Sequence, residues 1–476
     1  MIISKDQINR YLRQVIIPEI SGTGQKKLLE ASVLIKAESV ETSSPLLYYL
    51  AAVGVGNICC SFEDQQGYEN LFAHIKDLNN DISIELQVKP VCPQADVKIL
   101  LGDPGFVADV INSDGDGTPV IAAMNREWQG FIQVLKGEEE KTTFAAELHK
   151  VCQHGKGWRE SPEGIGYTFS TCLLGALLAI EAVKCILKIG TPVKDLFSFD
   201  LLSMVFSSYK VNQLENILFC TNETSSSLPV STRISPKQFC DSKVLIVGTG
   251  GLGSPAAYAL VKAGIGTVGL VDNDTVDVSN LNRQILHSSS RIGWAKVDSA
   301  ETFLHQLNPE VKIIKYHTKF DRENALEILN DYDVAIGGVD NFPTRYLLND
   351  ACFLMKKPMI EAGVLRFDGM GMTIIPGAAS CYRCLFPHMK APGSVPTCSE
   401  TGVLGPVPGV MGFIEACEAA KLLTAQGNLL TDALLTFDGL DLTFEVMQAG
   451  KNPACPLCGT NPYIKKLQDY EFSCEI

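Results

Sequence analysis

The 476-residue sequence predicts an α/β protein made of two doubly wound sheets in tandem. Short β-branched runs alternate with helix-like segments along the chain, the pattern of parallel strands joined by crossover helices. The second half also repeats the first. Val33-Leu34-Ile35 is followed by Pro45, Tyr48, Leu50, Gly54 and Gly56, and Val244-Leu245-Ile246 by Pro255, Tyr258, Leu260, Gly264 and Gly266, each 210 positions after its counterpart from the proline onward. Near the end of each half, Glu181, Lys184 and Phe199-Asp200 parallel Glu418, Lys421 and Phe437-Asp438. Such self-similarity marks a tandem duplication. The polar stretch from Asn222 to Ser235 has the composition of a linker, which divides the chain into domains 1–224 and 225–476.

The totals agree with two soluble domains. The chain is longer than one ordinary core supports, and 46% hydrophobic with 20% charged residues describes a globular protein, not a disordered one. A formal charge of −14 with no basic run excludes a nucleic-acid surface. The apolar run Cys172 to Ile180 is interrupted by Glu181 and Lys184 before the ~20 residues a membrane span needs, so it reads as a buried helix and no membrane partner is expected. The opening MIISKDQINRYLRQ places charges where a secretory signal has an apolar core, which points to the cytoplasm. There the sixteen cysteines read as free thiols and metal ligands.

Taken in order, the first half has its strand at Val33 to Ile35 and then Lys36-Ala-Glu-Ser-Val-Glu-Thr42, with no glycine and two carboxylates, a poor cradle for phosphate. The second half has a strand at Lys243 to Val247, a turn containing Gly248, Gly250, Gly251 and Gly253, and a helix from Pro255 to Ala263. Glycines remove the side chains that would keep backbone N–H groups and a helix N-terminus from phosphate oxygens. Asp272 ends the next strand, where it is placed to accept hydrogen bonds from ribose hydroxyls; the first half has Phe62 instead. The glycine turn and Asp272 suit NAD as well as ATP. More specific features follow: Asp274, the run Ser279-Asn280-Leu-Asn282-Arg283-Gln284, His287, Gly293, Lys296, and Asp340-Asn341-Phe342 with Arg345.

With these residues in place the second half resembles the ThiF/MoeB family of sulfur-carrier adenylyltransferases, relatives of the ubiquitin-activating enzymes, and the first half resembles it more weakly. The fold implied is a Rossmann-like, ThiF-type domain in each half. The activity implied is ATP-dependent adenylation of the C-terminal carboxylate of a small sulfur-carrier protein, or of a ribosomal peptide, with release of pyrophosphate. The resemblance implies that Gly251, Asp272, Asn280, Arg283, Lys296 and Asp340 contact ATP or its Mg²⁺, and Gly248, Gly250, Gly253, Asp274, Ser279, Asn282 and Asn341 belong to the same nucleotide-binding stretches. Attack of a carboxylate on the α-phosphate brings two anions together, so Arg283 and Lys296 are of the right chemical type, and Asp340 suits Mg²⁺.

The N-terminal Arg10-Tyr-Leu-Arg13-Gln14 resembles the family's RYxRQ segment, whose second arginine reaches across a dimer into the partner's ATP site. The corresponding place in the second half, around Thr221, has no arginine. One half keeps the glycine loop and the other keeps the finger, so one chain is expected to make one complete site as an intramolecular pseudo-dimer. Whether two such chains associate further is left open.

Cys381-Tyr-Arg-Cys384 and Cys455-Pro-Leu-Cys458 are two CxxC pairs with the pattern of a closed, structural Zn²⁺ site. Cys398, in Pro396 to Pro406, matches a cysteine that links covalently to the activated carrier in some relatives; a thiolate can attack an acyl adenylate. No sulfurtransferase-like segment follows Cys458, so sulfur or acceptor is expected from elsewhere. Two other readings compete: an NAD-dependent oxidoreductase using only the glycine turn and Asp272, and a non-catalytic binding module.

Overall fold

The computed structural model describes residues 2–87, 95–113, 115–154, 164–214, 238–389 and 397–470. The expected linker, the boundary at 224/225, Thr221 and Pro396 lie outside the described residues. Each half is built on one eight-stranded sheet. The first holds β1 (Ser32–Ser39), β2 (Asn57–Asp64), β3 (Ser83–Leu86), β4 (Val97–Leu101), β5 (Val120–Arg126), β6 (Gln129–Leu135), β7 (Leu196–Asp200) and β8 (Val205–Tyr209). The second holds β9 (Lys243–Val247), β10 (Thr267–Val271), β11 (Lys312–Tyr316), β12 (Val334–Gly337), β13 (Met359–Leu365), β14 (Asp368–Ile374), β15 (Ala433–Asp438) and β16 (Thr443–Gln448). The spatial orders, β3-β2-β1-β4-β5-β6-β7-β8 and β11-β10-β9-β12-β13-β14-β15-β16, are the same topology twice.

The sheets are mixed: the expected parallel strands form one part of each, and an antiparallel part follows. β3, β2, β1, β4 and β5 run parallel and β6, β7 and β8 alternate. The second sheet does the same. The reason is loop length: only Glu127-Trp128 joins β5 to β6, and only Arg366-Phe367 joins β13 to β14. Two residues make a hairpin and leave no room for a crossover helix.

The repetition reaches single residues. Glu127 and Arg366, Lys188 and Ala425, and Met204 and Leu442 are non-glycine residues with positive φ, and each pair occupies the same place in its half. Glu181–Lys184 and Glu418–Lys421 are fully buried ion pairs, each 2.6 Å long.

One hydrophobic core runs through both halves. Its centre is the helices Val40–Val53, Ile165–Leu187, Gly253–Lys262 and Pro406–Thr424, packed against one another. Corresponding residues of the two halves meet there: Tyr48 and Tyr258 with ring centroids 6.0 Å apart, and Phe206 and Phe444 stacked at 4.0 Å. The contacts are reciprocal. Asn428 N–H donates to the Leu202 carbonyl at 2.7 Å and Thr191 N–H to the Leu440 carbonyl at 2.9 Å. Each half thus donates a backbone hydrogen bond to the other. The apolar run at Cys172 lies in the 23-residue helix Ile165–Leu187, long and apolar enough to cross a membrane but 89% buried in its most apolar window. Its Glu181 and Lys184 continue the helix by pairing with each other.

Candidate active site

The glycine turn leads from β9 into the helix Gly253–Lys262, and its glycines have different reasons to be there. Gly248 has φ +92°, and a Cβ on it would sit 2.6 Å from the Gly338 carbonyl. A Cβ on Gly253 would lie 1.8 Å from the Gly248 carbonyl oxygen. Those two are fixed by the fold. A Cβ on Gly250 would meet only Gln284 Nε2, at 3.6 Å, so the protein itself has room for it. Gly250 and Gly251 face a cleft of about 1320 Å³ at the carboxyl ends of the parallel strands, where open α/β sheets bind ligands.

Charged residues from both halves line this cleft. Asp272, at the end of β10, accepts from Thr249 N–H at 2.8 Å and from Thr249 Oγ1 at 2.9 Å, while its other oxygen accepts from Asp274 N–H at 2.9 Å. Lys296, at the start of the helix Lys296–Leu307, is buried and pairs with Asp274 at 2.8 Å. Arg283 donates to the Ser279 carbonyl at 2.7 Å and to Asn282 Oδ1 at 2.9 Å. Burial, then the charge of Arg13, pull its pKa down to about 10. Two guanidiniums are thus held close enough to oppose each other's charge.

Arg13 comes from the helix Leu12–Val15 of the first half. Its side chain donates to the Ser399 carbonyl at 2.9 Å, and its own carbonyl accepts from Val403 N–H at 2.8 Å. The short helix Cys398–Thr401 is thereby stapled to the first half. Cys398 lines the cleft, and its thiol donates to the Val364 carbonyl at 2.9 Å. Burial pushes the Cys398 pKa up, with Arg283 and Arg13 partly opposing that.

The structure therefore brings Arg13, Gly248, Gly250, Gly251, Asp272, Asp274, Arg283, Lys296, Asp340, Asn341 and Cys398 to one cleft. Asp340 is exposed, whereas the Asn341 side chain caps the helix Phe342–Met355 by accepting from Thr344 N–H. Gly253, Ser279, Asn280 and Asn282 do not line the cleft. Asn280 Oδ1 accepts from Asp277 N–H at 3.0 Å, and Ser279 and Asn282 hold Arg283.

In the first half the equivalent turn is absent. β1 runs on to Ser39, whose side chain caps the helix Val40–Val53. Glu38 stands at the end of the sheet with its pKa raised to about 7 by burial and by Asp103.

A buried group to which the sequence assigns no role reaches the cleft through Arg345. Arg345 pairs with Glu361 at 2.5 Å and donates to the Val339 and Ala362 carbonyls. Glu415, 1% exposed, completes the cluster, and burial raises the pKa of both carboxyls, Glu361 to about 8 and Glu415 well above its ordinary value. The spacing of Arg345 from Asp340 was its one sequence signal.

Away from the cleft, the sulfurs of Cys381, Cys384, Cys455 and Cys458 lie within 4.8 Å of one another, four of the six separations being 3.2 to 3.9 Å. A disulfide would need ~2.05 Å. Four thiolates at about 2.3 Å from a tetrahedral Zn²⁺ would be about 3.8 Å apart, so the four residues fit that ion. Next to them Arg383 donates to Asp350 at 2.7 Å and to Tyr470 at 2.8 Å, fastening the segment after Cys458 to the domain.

A model of the ThiF family matches residues 233–457. Adenylyltransferase and sulfurtransferase MOCS3 of Culex quinquefasciatus is 39% identical over 268 residues, 56% of this chain and 60% of that protein. SAMP-activating enzyme E1 of Haloferax volcanii is 42% identical over 49% of this chain and 87% of its own length. Sulfur carrier protein adenylyltransferase of Thermus thermophilus is 44% identical over 49% and 88%. Among solved structures, E. coli MccB with MccA-N7isoASN has a TM-score of 0.42 at 23% identity, covering 46% of this chain and 68% of that one.

Proposed function

The chain belongs to the ThiF family, and from that premise we propose that it adenylates the C-terminal carboxylate of a small protein or peptide at the expense of ATP. A carboxylate oxygen forms a bond to the α-phosphorus, the bond from that phosphorus to the bridging oxygen of the β-phosphate breaks, and pyrophosphate leaves. A sulfur carrier protein is named for one of the relatives, and this makes a carrier with an extended C-terminal tail the substrate that fits best.

The observation that supports this reading is that Arg13 of the first half and Arg283 of the second line the same cleft as the glycine turn, near enough for the charge of one to lower the pKa of the other, so the cleft suits added negative charge. A triphosphate meeting a carboxylate supplies that charge, and donors set in place beforehand stabilise it as it builds up on the leaving group. A dinucleotide would use the glycine turn and Asp272 and leave both arginines idle. In this reading domain 1–224 cannot bind ATP itself and contributes Arg13 to the site of domain 225–476, the two forming an intramolecular pseudo-dimer.

Asp340, exposed at the cleft, would hold Mg²⁺, which offsets phosphate charge when bound. Cys381, Cys384, Cys455 and Cys458 would hold a structural Zn²⁺, with no open position for chemistry. Cys398, which lines the cleft, would receive the acyl group as a thioester with AMP as the leaving group; the neighbouring arginines favour its thiolate and burial opposes it.

The test is pyrophosphate exchange with purified protein, labelled pyrophosphate, ATP, Mg²⁺ and candidate carriers. Carrier-dependent exchange is expected, and Arg13→Ala should abolish it without changing the melting temperature. Near-native exchange in that variant would rule out a composite site.

A further inference from the structure

Beneath the glycine turn, His287 is 1% exposed and uses both ring nitrogens. Nε2 lies 3.2 Å from the Thr249 carbonyl oxygen and Nδ1 lies 3.0 Å from Ser299 Oγ. A carbonyl has no proton to give, so Nε2 carries the hydrogen, and in the neutral ring Nδ1 accepts from the Ser299 hydroxyl. Burial, followed by the charge of Lys296, pushes the imidazole pKa down to about 3, which keeps this tautomer neutral. The Thr249 carbonyl takes a second hydrogen bond from Ser254 Oγ at 3.0 Å.

Thr249 is the one residue with a side chain between Gly248 and Gly251, so it is where a turn of otherwise free backbone can be held. Its carbonyl is fixed from below by His287, and its N–H and hydroxyl both reach Asp272. Ser299 lies on the helix that begins with Lys296. One imidazole therefore joins the glycine turn, the carboxylate at the end of β10 and the helix carrying the lysine.

We infer that His287 is a positioning residue, acting through Thr249 to set the height of the glycine turn and the direction of the Asp272 carboxylate toward the nucleotide. The inference rests on the ATP reading above. A histidine that merely fills the core could be replaced by leucine with no effect on the turn.

The experiment compares the native full-length chain with His287→Leu, His287→Gln and Ser299→Ala. It measures MgATP binding by calorimetry and amide hydrogen exchange of residues 249–252 without nucleotide. Leucine removes the bond to a buried carbonyl and should weaken ATP about tenfold, with faster exchange in the turn. Glutamine, which restores an N–H donor near the Nε2 position, should recover binding to within about threefold. Leucine binding ATP within about twofold of native with unchanged exchange, or glutamine failing as badly as leucine, would overturn the assignment. If the leucine variant does not fold, Ser299→Ala decides: weaker binding and faster exchange support the relay, and no change in either sinks it. Native protein that fails to bind ATP would instead defeat the nucleotide reading, and the exchange comparison would still judge the relay.

Discussion

Arg345, Glu361 and Glu415 show how far a residue's chemistry depends on what surrounds it. Glu361 and Glu415 sit beside one guanidinium, and burial favours their neutral forms. Between an ordinary value of 4.5 and about 8 the native state therefore holds more protons at Glu361 than the unfolded chain does. Stability from this group is complete below that window and is lost as pH rises through it. Glu415→Gln should flatten the fall in urea midpoint between pH 5 and 8, because Arg345 then faces one carboxylate; an unchanged pH profile would argue against the coupling. Arg13, Arg283 and Lys296 were legible in the sequence because they stand in distinctive runs. The carboxyl cluster was not, because Glu361 and Glu415 lie on separate elements and each looks ordinary in its own run.

At the scale of elements, the glycine turn separates what the fold needs from what a ligand needs. Gly253→Ala should cost about 2 kcal/mol or more, since its Cβ would sit 1.8 Å from a backbone oxygen and something must move. Gly250→Ala should fold within about 0.5 kcal/mol of native yet bind ATP more weakly, because its Cβ would project into the cleft. Chemical denaturation and nucleotide titration of both variants check this. Zinc content and limited proteolysis check the four cysteines: a strong chelator should free the segment after Cys455 for cleavage while the first sheet stays protected. Strands and helices were readable from their periodicity. The antiparallel portion of each sheet was not, because Glu127-Trp128 and Arg366-Phe367 carry no glycine or asparagine to announce a hairpin, although Glu127 and Arg366 adopt positive φ.

For the whole molecule, the joint between the halves is built from the same residues that mark the repeat. Lys421 pairs with Glu418 and also donates to the Leu201 carbonyl of the other half at 2.8 Å. Lys421→Met leaves Glu418 buried without its cation and should destabilise the protein by about 3 to 5 kcal/mol. Because a shared core joins the halves, the loss should appear as a single shifted transition in calorimetry; two separated transitions would show that the halves unfold independently.

The sequence by itself determined the tandem organisation, the glycine turn with Asp272, the paired CxxC motifs and the family, because each is written in a run of neighbouring residues whose spacing carries the physics. Only the tertiary structure decided that Arg13 and Arg283 line one cleft, that Asn280 and Asn282 do not line it, and that His287 holds Thr249. Those are meetings of side chains far apart in the chain. They exist only once the helices at the centre have packed, and no local pattern records where that packing puts a side chain.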